Sequence, residues 1–191
     1  MQDKQQQYKS EFRVQSGQEA YTLIEVLMTI VIMGVILLML NLVLFTVVRT
    51  ANQTDARMKI RGGVEFALEV IRRDIKSANT ESVNVSGAGG TTLSMTLTGS
   101  GDTVTFTRVE DSDSGYYAIQ ADRNGQEIHL TSVHDLDVTG LTFQIVVHPA
   151  SGTSTVYVAV TANSAGKKQD GTPIVEDFIK NAAIITKGRG Q

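Results

Sequence analysis

The hydrophobic pattern changes character three times along the chain. Residues 26–48 read VLMTIVIMGVILLMLNLVLFTVV, a run without one charge. Its few polar or small positions (Thr29, Gly34, Asn41, Thr46) are scattered around the helical wheel instead of forming a face. At the helical rise the run spans roughly 34 Å, enough to cross about 30 Å of hydrocarbon. It predicts a membrane-spanning helix, from Val26 through Gly34 to Val48. Beyond it, Ile60, Val64, Ala67, Leu68, Ile71, Ile75 and Ala78 recur at steps of three and four, a single apolar stripe. Arg72, Arg73, Asp74 and Lys76 fill the other faces, and Glu69 stands four residues ahead of Arg73 in the favourable order. The pattern predicts one helix from Thr22 to Asn79, with Gly62-Gly63 as a flexible or kinked joint. Its first half faces lipid or other subunits, and its second half needs the remainder of the chain to cover the stripe.

That remainder alternates with a period of two. Thr91–Thr98 and Thr103–Val109 read as strands around a Gly99–Asp102 turn. Tyr116–Gln120 and Glu127–Leu130 are shorter candidates divided by Asn124-Gly125, a strong hairpin pair. Leu141–His148 and Thr155–Ala162 suit a long hairpin. Val85–Gly90 and Ser164–Pro173 read as loops, and Lys187–Gln191 as a frayed tail. Ile174–Ala183 fits a short helix, with a last strand over Ala182–Thr186 as the alternative. The expected class is α+β, with a sheet laid by one face on the helix stripe.

Composition narrows the chemistry. The 191 residues are 41% hydrophobic and 19% charged, which excludes wholesale disorder. The absence of cysteine excludes disulfides, thiolate metal sites and cysteine nucleophiles. His129, His134 and His148 have no metal-binding spacing, and no phosphate-binding loop or nucleophile elbow is present. Asp111–Gly115 matches only the opening of a calcium loop, because Tyr116 and Asp122 stand where Gly and Glu are needed. No catalytic residue, metal or cofactor is expected. Residues 49–80 carry seven basic and four acidic groups, whereas 81–140 carry two and nine. The second balance repels duplex DNA, so direct nucleic-acid binding is not expected.

The most informative residue is Glu25, one position before the uncharged run. A carboxylate at the head of a membrane helix is costly unless paired or neutralised. It reads either as an interfacial group near the headgroups or as a group that meets a partner from another chain. A free α-amino group would be apt, were the chain cut just before Tyr21. Lysine and arginine flank the apolar run on both sides and leave its orientation open.

The stretch Ala20-Tyr21-Thr22-Leu23-Ile24-Glu25-Val26-Leu27, followed by the long apolar run, resembles the signal of type IV pilins and pseudopilins. The resemblance implies that a prepilin peptidase cuts between Ala20 and Tyr21 on the cytoplasmic side and methylates the new amine. It implies that Glu25, then the fifth residue, serves methylation and filament assembly. Ala20 departs from the glycine usual before the cut, which implies slower processing. The implied organisation is a cytoplasmic leader over 1–20, a transmembrane and filament-core helix over 21–48, an amphipathic continuation over 49–80, and an extracytoplasmic β-rich domain over 81–191. The expected fold is pilin-like, a long N-terminal helix packed on an antiparallel sheet. The implied partners are the peptidase, other pilin or pseudopilin subunits, the inner-membrane assembly platform and the bilayer.

Ile71–Ala78 and Val138–Phe143 are similar to segments of the minor pseudopilin J and minor pilin W group. The leading expectation is therefore a minor structural subunit of a pilus, secretion pseudopilus or competence filament. A major pilin is an alternative. A tip adhesin is another, with the Asp111–Gly115 and Ser164–Thr172 loops carrying its ligand. An enzyme is not expected.

Overall fold

The computed structural model describes residues 22–148, 153–168 and 171–186. It has one long helix, α1 (Leu23–Ser77), a 3-10 turn (Thr80–Ser82) and eight strands. These are β1 (Asn84–Ser86), β2 (Thr92–Thr96), β3 (Thr103–Glu110), β4 (Tyr117–Arg123), β5 (Gln126–His129), β6 (Leu136–His148), β7 (Thr153–Ser164) and β8 (Phe178–Ile185). The fold is α+β and pilin-like, an apolar N-terminal helix with antiparallel sheets. The chain divides into two compact units between Arg49 and Thr50.

In the second unit every member of the apolar stripe is buried, from Ile60 through Ala78. What covers it is two sheets, where one was expected. An all-antiparallel five-stranded sheet runs β1-β2-β3-β4-β5, and a three-stranded sheet runs β6-β7-β8. Alternate residues of both (Leu93, Met95, Val104 and Phe106 from the first; Val156, Val158 and Val160 from the second) join the stripe in one hydrophobic cluster. Burying each such side chain contributes roughly 1.5–3 kcal/mol before the entropy of ordering is counted.

The sheets meet at an irregularity in β6. Its register with β7 shifts between Asp137 and Gly140. The carbonyls of Val138 and Thr139 accept from the Arg108 guanidinium at 3.3 and 2.7 Å. That guanidinium lies 4.1 Å over the Tyr117 ring, and the Asp137 carboxylate accepts from the Tyr117 amide at 2.9 Å. At the middle of β6, the Gly90 carbonyl accepts from the Phe143 amide at 2.7 Å. A Cβ at Gly90 would collide with the Phe143 carbonyl, and its φ of 75° also demands glycine.

Several expectations need correction. The helix ends at Ser77, short of Asn79 and of the 49–80 segment, because sheet contacts capture its exit. The Ser77 carbonyl accepts from the Thr98 amide at 2.8 Å, and the Asn79 amide donates to the Thr96 carbonyl at 2.9 Å. Asn79 then caps the 3-10 turn through Glu81 N at 3.3 Å. Helical structure runs unbroken through Gly62-Gly63. Gly63 answers to packing, since a Cβ there would lie 2.6 Å from Leu136 Cδ2, whereas Gly62 faces open space. The short helix over Ile174–Ala183 does not form. Phe178–Ile185 is the strand β8, which satisfies the outer edge of β7 and buries Ile184. The Val85–Gly90 loop begins as strand β1, and β6 starts at Leu136, before Leu141. The Asn124-Gly125 turn is as expected, with φ of 53° and 85°. The tail Lys187–Gln191 lies outside the described residues.

Asp74, assigned by the sequence to a polar face, is buried. Its carboxylate pairs with Arg123 of β4 and, at 3.3 Å, with Arg73. Position 74 lies three residues after Ile71, on the apolar stripe itself, and that spacing was the available signal.

Candidate functional site

The start of α1 is built by a local motif. Thr22 precedes the first helical residue, and its carbonyl accepts from Glu25 N at 3.0 Å and Val26 N at 3.2 Å. The Thr22 hydroxyl accepts from Glu25 N at 3.3 Å. A threonine three residues ahead of a glutamate is a helix-starting pair, so Thr22-Leu23-Ile24-Glu25 specifies where the helix begins. The sequence reading missed Thr22, although the Thr-x-x-Glu spacing was present. Glu25 is thereby held in the first turn, where the helix dipole favours a negative charge. It is exposed, and among the described residues no side chain pairs with it. Ala20 and Tyr21 lie outside the described residues.

From Val26 to Val48 every residue is exposed. The three polar side chains of the run turn back on their own helix. Thr29 Oγ1 donates to the Val26 carbonyl at 2.8 Å, Asn41 Nδ2 to Leu37 at 2.8 Å, and Thr46 Oγ1 to Leu42 at 2.9 Å. Each side chain thereby places one donor on its own helix without water, which lowers the cost of a hydrocarbon environment. Gly34 has no neighbour within 4 Å of where a Cβ would stand. Among the described residues α1 is the one helix long and apolar enough to cross a membrane.

Residues 15–41 match the family described as the prokaryotic N-terminal methylation motif. The chain carries a type IV pilin-like prepilin signal. The matched residues include Ala20, Tyr21, Glu25 and the first two-thirds of the uncharged run. No curated protein and no solved structure matches the chain. The Thr22 motif and the first-turn position of Glu25 both lie within the matched residues.

The two loops considered for ligand binding come together in the second unit. Tyr116 follows the Asp111–Gly115 turn, and its hydroxyl lies 3.5 Å from the Ala165 carbonyl. Lys167 Nζ stands 5.5 Å over the Tyr116 ring. The Asp111 carboxylate accepts from Ser114 N at 2.9 Å. Hydrogen bonds from Ser114 hold its pKa below the usual aspartate range, aided by His129 and His134 nearby. This is a self-satisfied acidic turn. Among the described residues no three histidine or carboxylate side chains are placed to hold a metal ion.

Proposed function

We propose that the chain is a minor structural subunit of a type IV pilus or a type II secretion-like pseudopilus. One observation carries the reading. Within a prepilin signal, a capped helix start places the Glu25 carboxylate at the head of an uncharged helix whose whole surface is exposed. Such a helix requires lipid or other helices around it, and such a carboxylate requires a cation. An unpaired carboxylate in the bilayer costs on the order of 3 kcal/mol. Prepilin peptidase cuts between Ala20 and Tyr21 and methylates the Tyr21 amine, which keeps its positive charge. In the growing filament Glu25 neutralises the Tyr21 amine of a neighbouring subunit. The apolar helix is the single membrane anchor before assembly and lies in the filament core afterwards. The leader faces the cytoplasm and residues 81–191 lie outside, where the inner-membrane platform adds subunits. The minor role rests on the resemblance of Ile71–Ala78 and Val138–Phe143 to the pseudopilin J and pilin W group.

Mass spectrometry of the N-terminal peptide from membranes and from sheared surface material tests this. The expected peptide begins at methylated Tyr21 and occurs in both fractions. Glu25→Gln should empty the sheared fraction while the outer domain stays folded. An intact Met1 start, confined to membranes, would refute the assembly reading.

A further inference from the structure

The two sheets have four edges, and three of them are short or partly occupied. β1 is only three residues long. β5 is four residues long and carries Glu127. The outer edge of β6 is occupied over its first half, where Arg108 donates to the Val138 and Thr139 carbonyls and the Gly90 carbonyl accepts from Phe143 N. These are the ordinary protections that keep a sheet from pairing with another chain. β8 has none of them. It is eight residues long, pairs among the described residues with β7 alone, and has no proline and a single charge, Lys180. Lys180 points to the inner side, where its Nζ is 3.4 Å from Glu65 Oε1. The outward row of β8 is Ile179, Asn181, Ala183 and Ile185, all uncharged. Ile179 and Ile185 are 62% and 63% exposed, and Tyr157 beside them on β7 is 45% exposed.

We propose that the free edge of β8 pairs antiparallel with β8 of a second copy of this chain, making one continuous six-stranded sheet. The strand is self-complementary for this pairing. With Ala182 on the two-fold axis, Ile179 falls opposite the second copy's Ile185, and Asn181 opposite its Ala183. Lys180 falls opposite its Ile184, so no like charges meet. Every residue from 179 to 185 gains a partner, and the two exposed isoleucines of each copy meet those of the other. The contact is isologous and closes at two copies, which sets it apart from head-to-tail filament packing. It does not rest on the filament reading. A pair of chains in the membrane, formed before or apart from assembly, is its natural setting.

The chain contains no cysteine, so engineered single thiols report without background. Residues directly opposite in an antiparallel pair bring their Cα atoms to about 4.5–5.5 Å, within disulfide range. The full chain should be prepared in detergent and in native membranes as Ala182→Cys, and as Ile128→Cys on β5 for comparison. Mild oxidation should give at least tenfold more cross-linked dimer from Ala182→Cys than from Ile128→Cys. Ala182 is half-buried, so an equal mixture of Asn181→Cys and Ala183→Cys chains, both exposed positions, provides a second measurement if that variant folds poorly. Adding Asn181→Lys, which puts a charge on the outward row, should lower the yield at least tenfold without changing the circular dichroism. Equal cross-linking at β5 and β8 would overturn the proposal, since it would mean random encounter in the micelle. So would cross-linking of β8 only to a different protein, which would make the edge a site for a heterologous strand.

Discussion

The two halves of α1 share one backbone conformation and obey opposite rules. Residues 23–49 have no charge after Glu25 until Arg49, no preferred face and no buried side chain. Residues 50–77 have a stripe whose large members are excluded from solvent and a polar surface laced with ion pairs. Helical hydrogen bonding is therefore common to both and explains neither. The second half is stable because two sheets cover its stripe. Among the described residues the first half buries no side chain, so its stability depends on what surrounds it. A helix apolar all round is complete only in a membrane or among other helices.

Removing apolar volume should separate the halves most sharply. Ile71→Ala should destabilise the folded domain by about 3 kcal/mol, because the buried site loses its methyl groups and keeps a cavity. Leu38→Ala, 68% exposed, should leave the domain's melting transition where it was. Chemical denaturation of the full chain in detergent reads both, and equal losses would break the distinction.

Arg123→Ala comes next. It strips the principal partner from the buried Asp74 and should cost about 2 kcal/mol, since Arg123 is itself only partly buried. Arg73→Ala, at the more exposed end of the same cluster, should cost much less.

The adjacent glycines should differ in sign. Gly63→Ala drives a Cβ against Leu136 and should destabilise by about 1 kcal/mol. Gly62→Ala meets open space, restricts the unfolded chain and should stabilise by about 0.5 kcal/mol. Two losses would mean that the pair acts as a joint after all.

The smallest expected effect is electrostatic. The hydrogen bond from Arg61 (2.9 Å), helped by Lys180, holds the Glu65 pKa below the ordinary glutamate value. A carboxylate depressed on folding adds stability that is complete above its unfolded pKa and is lost as pH falls through its folded one. Glu65→Gln should lower Tm slightly at neutral pH, where that contribution is complete, and leave it unchanged in acid below the folded pKa, so that the decline of Tm with falling pH is flatter.

The sequence by itself determined whatever depends on local pattern. The uncharged run, the stripe from Ile60 to Ala78, the Asn124-Gly125 turn and most strand centres follow from periodicity and turn chemistry, which act over a few residues. The prepilin signal was legible for the same reason: Glu25 and the residues around it are contiguous. Thr22 was equally local and was passed over. Tertiary structure alone decided how the strands divide into two sheets, because the join runs through Arg108 and Gly90 to a shifted stretch of β6 far away in the chain. It decided that Phe178–Ile185 is a strand, since only the unsatisfied edge of β7 distinguishes that segment from a helix. It put Asp74 inside the domain beside Arg123, 49 residues on. It also made β8 an edge strand, a property no segment has until its neighbours are in place.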